Sequence, residues 1–165
     1  VWLHISAGVR GVADRVGRLV PILLVGLPLL ALAITGSVWI HGRWAVIPAM
    51  IGVCVALFTA GLGLSSISSA AAPYAVSRPG EGPFEQPQRT GGTMTQAVVL
   101  FGSVVLSAPA LWWGWLALGG DEDAAWTSFW SGTGVGVAVL VAGVLIGSAV
   151  YERRTGRIME FAETL

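Results

Sequence analysis

Four stretches of this chain carry no Asp, Glu, Lys, Arg or His: Leu19 to Ile40, Trp44 to Ser77, Thr90 to Gly120 and Ala124 to Tyr151. A helix needs roughly 20 apolar residues to cross the hydrocarbon core of a bilayer. Each stretch supplies them. Charged residues make up only 11% of the chain, against about 25% in an average soluble domain. A water-soluble fold could not cover its surface with so few charges, so lipid is the solvent that fits. Spans are predicted near 19–40, 44–67, 95–118 and 128–150. They divide the chain into a cytoplasmic amphipathic segment 1–18, a transmembrane region 19–150 with an inner loop 68–94, and a cytoplasmic tail 151–165.

Closed β-barrels also satisfy their backbone in lipid, but their strands alternate apolar and polar residues. The run VAVLVAGVLIG at 137–147 does not alternate. The expected fold class is therefore all-α, a polytopic transmembrane bundle of about four spans. Pro21 and Pro48 are placed in first turns, where no backbone donor is lost. Pro28 and Pro109 lie deeper and should bend their helices, as hinges or as static packing bends.

Arginine placement sets the expected orientation, because short cytoplasmic loops collect Arg and Lys. Arg10, Arg15 and Arg18 precede the first span, Arg78 and Arg89 lie between the second and third, and Arg153, Arg154 and Arg157 follow the fourth. Only Arg43 falls opposite, where the other loop carries Asp121, Glu122 and Asp123. Both termini are thus expected in the cytoplasm. Trp39, Trp44, Trp112, Trp113, Trp115, Trp126 and Trp130 all fall at outer span ends, with Tyr74 and Tyr151 at inner ends. Indole rings favour the headgroup level. The alternative use of such a cluster is to hold an aromatic substrate.

In lipid, helices approach through small residues. The fourth span carries Gly132, Gly136, Gly143 and Gly147, and the second carries Gly52, Ala56 and Ala60. This stripe marks helix contact, within the chain or with a second copy. Ahead of the first span, Ile5, Val9, Val12 and Val16 share one helical face, while Arg10, Asp14 and Arg18 share another. That pattern predicts a short amphipathic helix on the inner leaflet. The loop PYAVSRPGEGPFEQPQRTGG at 73–92 is rich in Pro and Gly and should be irregular. Phe84 within it either docks onto a partner or the bundle, or rides on a mobile linker.

Chemistry-bearing groups are sparse. The net charge is zero, so no basic field points to nucleic acid. No span holds Asp, Glu, Lys or Arg, the groups that mark proton relays. His4 and His41 are assigned to opposite sides of the membrane, and Cys54 has no neighbouring His to activate it. No residue set has metal-ligand spacing, and no cofactor is expected. A P-loop requires a lysine, and the chain has none. Any nucleotide that drives this protein must bind another polypeptide.

The segment PYAVSRPGEGPF at 73–84 resembles the inner loop of actinobacterial ABC transporter permeases of the type-2 exporter class. The segment AGVRGVADRVGR at 7–18 and the arginine-rich tail look like that family too. The resemblance implies the membrane half of an exporter, without enzymatic activity of its own, driven by a separate ABC ATPase subunit. Arg10, Asp14, Arg15, Arg18, Arg78 and Phe84 would be the candidate contacts with that subunit. Family members have more spans than four, so this chain looks like a C-terminal portion. Its other partners would be further helices of the same permease or a second copy. The competing reading is a non-transport membrane protein acting as an anchor or assembly subunit. A membrane enzyme is ranked last, for want of a catalytic set.

If the spans are correct, the chain stays in solution only with detergent or lipid. A monodisperse peak on size-exclusion chromatography in plain buffer would contradict all four.

Overall fold

A computed structural model describes the backbone of residues 11–71 and 92–163, and the side chains of 12–70 and 93–150 apart from Asp14. Every element in it is helical. Helix α1 spans Gly11–His41, a 3-10 turn covers Trp44–Val46, and α2 spans Ile47–Ala71. Then come α3 (Gly92–Leu106), α4 (Ala108–Ala117) and α5 (Glu122–Glu163). Segments Arg15–His41, Trp44–Ala70 and Glu122–Val150 are each long and apolar enough to cross a membrane, and α3 with α4 makes a fourth if the bent pair is one span. The chain is an all-α bundle of about four spans.

The bundle is built around α2 and α5, which run parallel in one extended interface. The reason is the absence of side chains along their seam. A Cβ added to Gly132 would strike the Gly52 carbonyl, and one added to Gly52 would strike the Ser128 carbonyl. Further along, a Cβ on Gly63 would meet the Val139 carbonyl, and one on Gly143 would meet the Gly63 backbone. Gly136 lies against Thr59 and Ala56, and Gly147 against Ser66. Ala56 and Ala60 are fully buried in the same seam. The backbones themselves are in contact. Water-driven burial is weak between helices in lipid, and this dense dispersion contact takes its place.

The remaining helices flank that pair. Helix α1 is antiparallel to α2: Arg15 meets Ser66 and Ser69 at one end, and Gly26 meets the Phe58 ring near the middle. Its packing is slight, and its most apolar stretch has no buried residue. On the other side, α3 and α4 also run antiparallel to α2, with Gly102 against Leu64 and Gly114 against Val53. Ser128 of α5 donates a buried hydrogen bond to the Ala110 carbonyl of α4, at 2.8 Å.

Prolines behave in two ways. Pro109 sits in the first turn of α4, and the axis bends by 54° at Ser107. A proline ring clashes with the carbonyl four residues back and leaves it without a donor, so the break falls in the turn before the ring. Pro48 lies in the first turn of α2, as its position suggested. Pro21 does not lie in a first turn. Helix α1 is continuous from Gly11 through both Pro21 and Pro28. The expected boundary near residue 18, with a separate surface helix before it, is likewise not present over 11–18. Nothing in Val12–Val20 interrupts the helix, since Gly17 is tolerated at modest cost. Ile5 and Val9 lie outside the described residues.

Connections at one end are short. The Gly42 N–H closes α1 onto the Val38 carbonyl at 2.7 Å, with Gly42 at φ +68°. This is a left-handed C-terminal cap, which favours glycine. Asp121 accepts a hydrogen bond from the Ala124 N–H at 3.0 Å and caps α5.

Two substitutions test the seam. Gly63→Val and Gly143→Val should each destabilise by about 1–3 kcal/mol or more, seen as a fall of several degrees in melting temperature in detergent. Gly134→Ala should leave the melting temperature unchanged or higher, because nothing lies within 4 Å of a Cβ there.

Candidate functional site

The sequence points to the arginine-bearing end of the bundle as the place where a partner would act. Of the candidate contacts, Arg10, Arg78 and Phe84 lie outside the described residues, and the Asp14 side chain is not described. Arg18 is exposed on α1. Arg15 is not: only 6% of it is accessible. Its face turns toward α2, and its Nη1 donates to the Ser69 hydroxyl and, at 3.4 Å, to the Ser66 carbonyl.

The reason lies at the end of α2. Ser66 lies just before the last four carbonyls of the helix, which have no intrahelical donor and carry the negative end of its dipole. Helix α2 has no basic residue in its own last turn. Arg15 supplies the missing cation from the neighbouring helix. The run Ser65-Ser66-Ile67-Ser68-Ser69 lines the approach with hydroxyls. Ser69 donates to the Ser66 carbonyl at 3.0 Å while accepting from Arg15, and Ser68 donates to the Ser65 carbonyl. Neither the 68–94 loop nor the 1–18 segment, read by itself, contains this contact.

One consequence is spatial. The start of α1 is fastened to the end of α2, from which the chain departs toward residues 73–92. The described end of α3 and the extension of α5 through Arg153, Arg154 and Arg157 lie at this same end, because α3 is antiparallel and α5 parallel to α2. The four glycines named on α5 meet α2 of this same chain, so that stripe is internal. Gly63 and Ser128 complete the contact, although nothing in the local sequence sets them apart.

The opposite end collects the other charges and the tryptophans. All seven are exposed, and the least accessible, Trp113, is still 37% exposed. Trp126, Phe129 and Trp130 stack edge to face, with centroids 5.8 and 5.1 Å apart. Exposed rings gathered toward this end suit an interfacial belt rather than an enclosed aromatic cage. Arg43 donates to the Leu118 carbonyl and ties the α1–α2 turn to the α4–α5 turn. Cys54 is half-buried among apolar residues of α2. Among the described residues, no group of three or more His, Cys, Asp or Glu could hold a metal ion.

No family model matches this chain, and neither a curated protein nor a solved structure does.

Removing the Arg15 clasp has a defined readout. Arg15→Gln should cost about 1.5–3 kcal/mol, the range for hydrogen bonds to charged groups. Amide exchange over residues 11–18 should accelerate. Ser69→Ala should cost about 1 kcal/mol and accelerate it less. Unchanged exchange in the arginine variant would mean that the contact holds nothing together.

Proposed function

We propose that this chain is the membrane-spanning part of an ATP-driven ABC exporter, coupled to a separate ATPase subunit through the end where Arg15 meets α2. The observation that carries this reading is the Arg15 clasp. Segments 7–18 and 73–84 hold the resemblance to type-2 exporter permeases. Arg15 fastens the helix that holds the described part of the first, residues 11–18, to the helix after which the second begins. A force applied to either segment therefore reaches the same place.

The packing suggests which parts respond. Helices α2 and α5 share contacting backbones and move as one body. Helix α1 leans on them lightly, and α3–α4 is already broken at Ser107. ATP-driven closure of a partner would shift the population between two placements of α1 and α3–α4 against the α2–α5 pair. Such movement is rigid-body rocking and hinge bending, with no chemistry required of this chain. The arginine end is the cytoplasmic face in this reading, the tryptophan end faces out, and the membrane is the bacterial plasma membrane. Further helices, or a second copy, complete the pathway along the exposed sides of α1 and α3.

The test is reconstitution. The full-length permease, co-expressed with a cognate ABC ATPase, should retain it through purification in detergent and raise its ATP turnover in liposomes. Arg10→Glu with Arg18→Glu should lower that stimulation by about tenfold or more, as expected when charges at an interface are reversed. The reading fails if the full-length protein neither retains such an ATPase nor alters its turnover.

A further inference from the structure

Three cavities at the tryptophan end share lining residues, and together they offer a place for one amphiphile. The first, about 320 Å³ in volume, lies between the two short turns and is the one of the three with charged side chains in its lining. Arg43, Asp121 and Glu122 line it, with Trp44 and Val46 in its floor. The second is an apolar cleft of about 330 Å³ between α1 and α2, bounded by Leu30, Ile34, Trp44, Ile51 and Cys54 among others. The third is an apolar cleft of about 300 Å³ between α2 and α4, bounded by Val46, Met50, Cys54, Leu111 and Trp115 among others. Trp44 belongs to both the charge-lined cavity and the first cleft, and Val46 to both the charge-lined cavity and the second. Cys54 lines both clefts at their lower ends.

We propose that this is a binding site for one two-chain phospholipid with an amine-bearing headgroup, seated in the leaflet at the Asp121 end. The headgroup occupies the cavity lined by Arg43, Asp121 and Glu122, and the two acyl chains descend on either side of the half-buried ridge of α2. Length supports the assignment. From Trp44 to Val55 the chain is helical, and at 1.5 Å per residue the first cleft runs about 16 Å along α2. Half of a hydrocarbon core of roughly 30 Å is about 15 Å. The cleft therefore reaches from headgroup level to the bilayer midplane, as an acyl chain does. Its hydroxyl, that of Thr35, is already bonded to the Ala31 carbonyl at 2.8 Å and asks nothing of an occupant.

Charge selects the headgroup. Arg43 uses one guanidinium nitrogen on the Leu118 carbonyl and keeps further N–H donors for a phosphate. Asp121 holds the α5 cap through one oxygen. Glu122 is exposed at the same cavity. One cation beside two carboxylates suits a phosphate that carries its own ammonium, and disfavours a headgroup that is only anionic. The proposal needs the chain to lie in a bilayer, but not an ATPase partner, so it stands or falls apart from the exporter reading.

Native mass spectrometry of the full chain, delipidated in detergent and titrated with defined lipids, tests it. Phosphatidylethanolamine should be retained at one per chain. Phosphatidylglycerol should bind about tenfold more weakly, the loss expected for one charge-assisted hydrogen bond. Lyso-phosphatidylethanolamine, which fills a single cleft, should also bind more weakly. Ile51→Trp and Met50→Trp, one for each cleft, should reduce phosphatidylethanolamine retention with helical content unchanged by circular dichroism. Glu122→Gln should erase the preference over phosphatidylglycerol. Should a tryptophan variant misfold, the unmodified chain still decides. Its one cysteine, Cys54, should be alkylated more slowly by N-ethylmaleimide when phosphatidylethanolamine is present, and less so at the same concentration of phosphatidylglycerol. Equal retention of the two lipids, no protection of Cys54, or a lipid-free dimer with a second copy in the clefts would each overturn the proposal.

Discussion

Contact between the backbones of α2 and α5 is the constraint on which the rest of this bundle depends. Two helices in a hydrocarbon solvent gain little by hiding apolar side chains from it, because the lipid is as apolar as they are. They gain by packing more densely against each other than lipid can. Gly52, Gly63, Gly132 and Gly143 permit that density, since each places a hydrogen atom where any other residue would place a carbon against a carbonyl. The parallel arrangement then follows from connectivity. Two helices running the same way must be joined by a segment that returns across the bundle, and α3 with α4 is that segment. The Ser128 hydrogen bond to Ala110 ties the returning segment to the pair just beyond its bend.

With the central pair so closely joined, flexibility is left to the flanks. Helix α1 touches it through a narrow stripe and presents most of its apolar surface outward. A buried polar anchor lies at its end, where Arg15 meets the last turns of α2. An anchor at one end and a cleft at the other make α1 a lever rather than a wall. The cleft between α1 and α2 lies at the tryptophan end, far from the Arg15 clasp. A coupling partner at the arginine end and a lipid at the opposite end would therefore act on the same helix.

Much of this could be read from residue order. Helices that can cross a membrane follow from charge-free length, and the bend before Pro109 follows from ring sterics. The α5 glycines are visible as a stripe because 3.6-residue periodicity puts them on one face. Other features were hidden for identifiable reasons. Gly63 belongs to the seam but looks like one glycine among 23, and only the facing Gly143 distinguishes it. Arg15 looks like any flanking arginine, because its partners Ser66 and Ser69 are fifty-odd residues away. Pro21 looked like a helix start because the preceding residues carry charge. Charge, however, does not end a helix whose solvent changes from water to lipid along its length.

The order of residues by itself determined the solvent, the number of long apolar helices and the faces able to approach closely. Those properties come from transfer free energy and helical periodicity, which act on local stretches of chain. Tertiary structure decided the pairing of α2 with α5, the burial of Arg15 and the placing of two apolar clefts beside the cavity that Arg43, Asp121 and Glu122 line. Each of these requires groups from distant parts of the chain to share one place. No local preference encodes that, and only the packing of whole helices brings it about.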